Sequence, residues 1–204
     1  MKNDNKGFSL VELIVIVAIM AILLGVLAAN ISRISGYRAK ECRTKVISSL
    51  ENGRLMTLSK SRGGSSLVST KTYLVFVRNN TNGCNYCLTV IEDEITDVKK
   101  ISKGKVTLQY STDKSATGGT PIGAFNGPNS LSIESDPDVL DDAKAAGTKV
   151  GFSRQNGAFL PNDAAGTTYI YQMFASLGPY NYGITLHPKT GKVEVGGRTR
   201  ATVS

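Results

Sequence analysis

The 204-residue chain has no tryptophan, a single histidine (His187), three cysteines and no proline before Pro121. One histidine leaves His-rich metal chemistry and a Ser-His-Asp site poorly supplied. The absence of proline lets the first 120 residues hold a long, unbroken helix. Charge is almost missing from Phe8 to Ala29, where Glu12 is the only ionisable side chain in 22 residues. With 41% hydrophobic and 20% charged residues, the whole is neither a disordered acidic tail nor a polytopic membrane protein. The net charge of +8 is unevenly placed. Residues 30–62 carry eight basic side chains against Glu41 and Glu51, while residues 63–204 carry 14 basic and 12 acidic ones. The basic character belongs to one segment, not to a nucleic-acid-binding domain at large.

As a helix the run 8–29 is roughly 33 Å long, enough to cross a hydrocarbon core of about 30 Å. A secretory signal peptide has a shorter, uncharged apolar region of about 7–15 residues and a small-residue cleavage site. A plain anchor fits no better, because a carboxyl in the membrane costs on the order of 2.5–3.5 kcal/mol. A partner must compensate Glu12, so this helix is not expected to stay alone in lipid.

Lys6-Gly7-Phe8-Ser9-Leu10-Val11-Glu12-Leu13, followed by the apolar run, resembles the N-terminus of type IV pilins and type II secretion pseudopilins. The resemblance covers about 30 residues and implies a specific history for the chain. A prepilin peptidase cuts after Gly7 on the cytoplasmic side, and the new N-terminal Phe8 is N-methylated. Glu12 then pairs with the N-terminal amine of a neighbouring subunit. The physics agrees, because cleavage creates a positive amine and a carboxylate in low dielectric needs one nearby. Five basic residues from Arg33 to Lys45 outnumber Lys2 and Lys6, so flank counting alone puts the C-terminal part in the cytoplasm. The cytoplasmic peptidase site overrides that count. The resemblance therefore implies a leader at 1–7, a pilin helix at 8–60 with its transmembrane part at 8–29, and a globular domain at 63–204.

Beyond the span, Ala39, Cys42, Val46, Ile47 and Leu50 fall on one stripe, as in an amphipathic helix docking on a domain. Helix from Phe8 to Lys60 would be about 80 Å long. Gly25, Gly36 and Gly53 are its weak points, at about 1 kcal/mol each relative to Ala. Ser61-Arg62-Gly63-Gly64-Ser65-Ser66 breaks it. Strands are predicted at Thr72–Arg78 and Cys87–Glu92 as a hairpin, then at Val106–Tyr110. Thr112–Asn129 reads as a loop, and Asp136-Pro137-Asp138 opens a short helix ending before Gly147. Strands Lys149–Ser153, Thr168–Phe174, Gly183–Leu186 and Lys192–Val195 follow, the last two joined by a turn at 187–191. The fold class is α+β: a long N-terminal helix, transmembrane then amphipathic, packed on a C-terminal antiparallel β-rich domain. Val150-Gly151-Phe152-Ser153, Tyr169-Ile170-Tyr171 and Gly183-Ile184-Thr185-Leu186 through Thr190-Gly191-Lys192-Val193 resemble the closing strands of GspH/FimT-type minor pilins and pseudopilins.

Cys84-Asn85-Tyr86-Cys87 has redox CxxC spacing but sits in a predicted hairpin turn rather than between strand and helix. Outside the membrane it reads as a structural disulfide, with Cys84 and Cys87 closing on each other or Cys42 taking one of them. A zinc site from Cys42, Cys84, Cys87 and His187 has enough ligands, but they are scattered. Asp136, Asp138, Asp141 and Asp142 lack a calcium loop's alternation and suit a helix's first turns. Gly196-Gly197-Arg198-Thr199-Arg200 resembles the GRxR element of FimT-type subunits, which implies DNA contact through Arg198 and Arg200 on a flexible end. The expectation is a structural subunit, not an enzyme, without metal or cofactor. It begins as a single-pass membrane protein, N-terminus cytoplasmic, and ends in an extracellular or periplasmic filament. Its partners would be prepilin peptidase, other pilin or pseudopilin subunits and the membrane protein of the assembly platform. A DNA-uptake subunit and a membrane-tethered redox enzyme are the competing classes.

Overall fold

The computed structural model describes residues 9–60, 72–162 and 168–200, side chains excepted at 27–35, 60 and 200. The predicted break at 61–66 lies outside these residues. Among the described residues one helix, α1 (Leu10–Lys60), precedes ten strands and a second helix, α2 (Pro137–Ala146), an α+β architecture. Contacts divide the chain into two units, Met1–Ser35 and Gly36–Ser204, so α1 contributes to both. In the first unit Ser9 caps the helix, its Oγ accepting from the Val11 amide at 3.3 Å.

The second unit holds two sheets. The first runs β3 (Glu94–Ser102), β2 (Asn85–Ile91), β1 (Thr72–Asn79), β6 (Ala124–Phe125), with β7 (Thr148–Gly151) also paired to β1. Only the short β1–β6 pairing is parallel. The second runs β10 (Lys192–Arg200), β9 (Tyr180–His187), β8 (Gln172–Leu177), β4 (Thr107–Ser111), β5 (Thr120–Pro121), antiparallel throughout.

The first sheet is covered on both faces, which is why β1 and β2 read as nearly continuous apolar runs. On one face Leu74, Phe76 and Cys87 join Val46 and Leu50 of α1 and Met173, Ile184 and Leu186 of the second sheet. On the other, Val75, Val77 and Leu88 meet Leu140 and Ala143 of α2. Side chains alternate along a strand, so successive residues of β1 serve different cores. The stripe expected on α1 is the one used: Ala39, Cys42, Val46 and Leu50 are fully buried, and Ile47 packs beside them. Gly53 is not merely a weak point. A Cβ there would lie 2.9 Å from Phe152 and 3.1 Å from Leu74, so the missing side chain lets α1 approach the sheet.

Several strands depart from expectation: the short β5 and β6 form within the expected loop Thr112–Asn129, β8 starts at Gln172 rather than Thr168, and β3 and β10 differ more. β3 was not predicted, because it is a charge-bearing edge strand with four of its nine residues exposed and no alternating apolar pattern. It follows β2 through a two-residue turn at Glu92 (φ 53°) and Asp93 (φ 68°), a left-handed pair without the usual Asn-Gly signal. Residues 196–200 do not form the flexible end that was expected. β10 bulges at Gly196-Gly197 and pairs again, Arg198 opposite Tyr182 and Arg200 opposite Tyr180. α2 forms as expected, with the Asp136 carboxylate accepting from the Asp138 amide at 3.0 Å.

Candidate functional site

Glu12 stands in the first turn of α1, where the helix dipole favours a carboxylate. Every described residue from Leu10 to Val26 is exposed, the large apolar ones to 45–77%. Glu12 is the only charged residue among these 17, so the chain presents an apolar surface marked by one acid. Such a surface cannot be stable in water, being far larger than a monomer ordinarily exposes. Among the described residues no helix is long and apolar enough to cross a membrane. The described apolar side chains end at Val26, giving about 26 Å of helix. Gly7 and Phe8, the expected cleavage and methylation residues, lie outside the described residues.

The second candidate site, at β10, differs from expectation. The Arg198 guanidinium lies 3.6 Å from the Tyr180 ring centroid and 6.0 Å from that of Tyr182. Arg43 of α1 lies over the same Tyr182 ring at 5.3 Å and donates from Nη1 to the Gly196 carbonyl at 3.2 Å. Two arginines from opposite ends of the second unit are thus held by two tyrosines of β9, each contact worth about 0.5–1 kcal/mol or more when desolvated. Sequence reasoning missed Arg43, Tyr180 and Tyr182. The available signal was the two-residue tyrosine spacing, which sets both rings on one strand face. The side chain of Arg200 lies outside the described residues.

All three cysteines are free and buried. Cys84 and Cys87 are separated by the sheet itself, Cys84 in the α2-side core and Cys87 in the α1-side core. Cys42 shares the Cys87 core. Burial pushes the thiols of Cys42 and Cys87 up to about 12. A thiol so placed is protonated at neutral pH and lacks the nucleophilic form that redox exchange needs. His187 lies on the second sheet, 3.2 Å from Glu194. Among the described residues no three His, Cys, Asp or Glu side chains form a metal-holding group.

The family model of the prokaryotic N-terminal methylation motif matches residues 2–28. The N-terminus is therefore type IV pilin-like, and this motif implies processing by prepilin peptidase, membrane anchoring and assembly with other pilins. No curated protein and no solved structure matches the chain.

Proposed function

We propose that the chain is a minor subunit of a type IV pilus or of a type II secretion-like pseudopilus, of the GspH/FimT type. Prepilin peptidase removes residues 1–7, Phe8 is N-methylated, and residues 8–29 hold the protein in the membrane as a single pass. Extraction into the filament replaces lipid by neighbouring helices, and Glu12 pairs with the Phe8 amine of an adjacent subunit. Its work is assembly, not catalysis. The observation that carries this reading is Glu12, the lone charge of an exposed apolar helix inside the methylation motif. Mass analysis of the membrane-extracted protein tests it. The mature chain should begin with N-methylated Phe8; a chain still starting at Met1 beside active peptidase, or cut near Ala21, overturns it.

The basic and aromatic patch supports a second reading, DNA contact in an uptake filament. Tyrosine rings and guanidinium groups together suit phosphate and base contact. Binding by the full chain should then be independent of sequence, with a log–log salt slope of roughly −2 to −4. Replacing Arg198 and Arg200 by Ala should flatten that slope. A fragment without α1 is no control for the basic helix, because Val46 and Leu50 belong to the core.

A further inference from the structure

A groove of about 750 Å³ opens where the β9–β10 turn meets the loop after β7. That volume falls within the range usual for small-molecule sites, about 300–1,000 Å³. Its floor includes Phe159 and Leu186, both buried. Tyr169 and Tyr171 line one side, their centroids 6.3 Å apart and their planes inclined by 55°. The opposite side is tightly fixed. A Cβ on Gly191 (φ 65°) would fall 1.8 Å from the Gly157 carbonyl oxygen, and the Phe159 amide donates to Pro188 at 3.0 Å.

Lys114 and Lys189 line the groove, and among the described residues no carboxylate does; His187, also in the lining, faces Glu194 at 3.2 Å. Lys114 Nζ lies 4.9 Å from the Tyr171 ring centroid. Its loop is held in place, since the Gln172 side-chain amide donates to the Lys114 carbonyl. Asp113 beside it is occupied by the Ser115 amide and hydroxyl, each at 2.9 Å.

At Tyr171 both backbone groups are committed: Tyr171 donates to Ser111 at 3.0 Å and Leu186 donates to Tyr171 at 2.8 Å, so an extended peptide finds no free ladder there. Recognition falls to ring faces, the hydroxyl and amide groups of Ser153, Asn156 and Thr190, and the ammonium groups. We propose that this groove binds an acidic sugar, a hydroxyl-rich ring bearing a carboxylate. The apolar face of the sugar lies on the tyrosines, and its carboxylate meets Lys114, whose ammonium already stands beside Tyr171, in a charge-assisted hydrogen bond. The proposal does not rest on the pilus, pseudopilus or DNA readings, although Ser153, Tyr169, Tyr171 and Leu186 lie in segments that carry the GspH/FimT resemblance.

Saturation-transfer NMR on the full chain, in a detergent without sugar headgroups, tests this with D-glucuronate and N-acetylneuraminate. D-glucose and a short blocked Asp-rich peptide serve as competitors. At least one acidic sugar should bind saturably, with a Kd of about 1 mM and at least tenfold more tightly than glucose or the peptide. Lys114→Gln and Tyr171→Ala should each weaken binding about tenfold, whereas Tyr171→Phe should retain it. Thermal unfolding checks that each variant folds; if Tyr171→Ala does not, exposed Lys114→Gln decides. Absence of saturable binding by both acidic sugars overturns the proposal. So does equal binding of glucose or the peptide, or unchanged binding by Lys114→Gln.

Discussion

Gly53→Ala separates two accounts of α1 by the sign of its effect. If Gly53 only weakens the helix, alanine should stabilise the protein by about 1 kcal/mol. The packing gives the opposite sign. The new methyl would sit 2.9 Å from Phe152 Cε2 and 3.1 Å from Leu74 Cγ and Cδ1. Neither neighbour has room to retreat: Phe152 packs on Phe159 with centroids 5.4 Å apart, and Leu74 is buried in the same core. Overpacking of this kind costs typically about 1–3 kcal/mol. The propensity gain offsets part of it, leaving a net loss of about 1 kcal/mol. Gly53→Leu adds three more carbons to the same contact and should lose at least about 3 kcal/mol. Denaturant titration of the full chain in detergent, followed by tyrosine near-ultraviolet dichroism, measures both. A Gly53→Ala protein more stable than the parent would refute the close approach of α1 to β1.

Asp136→Ala should cost about 1 kcal/mol through loss of the cap on α2, read from the same titration, and Asp136→Ser should recover most of it. Alkaline pH should destabilise the fold through Cys42 and Cys87. Below pH 9 these thiols are protonated in both states; between pH 9 and about 12 the unfolded chain releases protons that the folded chain keeps. Stability should therefore fall by about 1.4 kcal/mol per pH unit for each thiol across that window. Comparing the parent with Cys42→Ala/Cys87→Ala at pH 8 and pH 10.5 isolates this from tyrosine titration, and an identical pH dependence contradicts it.

The elements legible in the sequence are those whose burial pattern is local. The stripe from Ala39 to Leu50 has one buried face and helical spacing, and Asp136-Pro137 carries its own start signal. β3 was hidden because its turn uses Glu92 and Asp93 in a conformation that glycine or asparagine normally announces. β10 was cut short because Gly196-Gly197 reads as a break, whereas it forms a bulge within a strand that pairs up to Arg200. Glu12 was legible as an isolated acid in an apolar run. The Arg43–Tyr182 contact was not, since it joins residues far apart in the chain. The groove was hidden for the same reason, drawing Lys114, Tyr171 and Lys189 from three separate segments.

The central claim is that Glu12 is kept for a partner's amine. In lipid the carboxyl costs on the order of 2.5–3.5 kcal/mol, so Glu12→Ala should insert at least as well as the parent. Without the acid, the amine of the incoming subunit has no counter-charge in a low-dielectric bundle. The direct measurement is the fraction of subunit recovered in sheared filaments relative to membranes, for the parent, Glu12→Gln and Glu12→Ala at matched expression. Full membrane insertion with at least tenfold loss from filaments for Glu12→Ala, and an intermediate loss for Glu12→Gln, is the predicted result. Incorporation of Glu12→Ala at the parental level would contradict it.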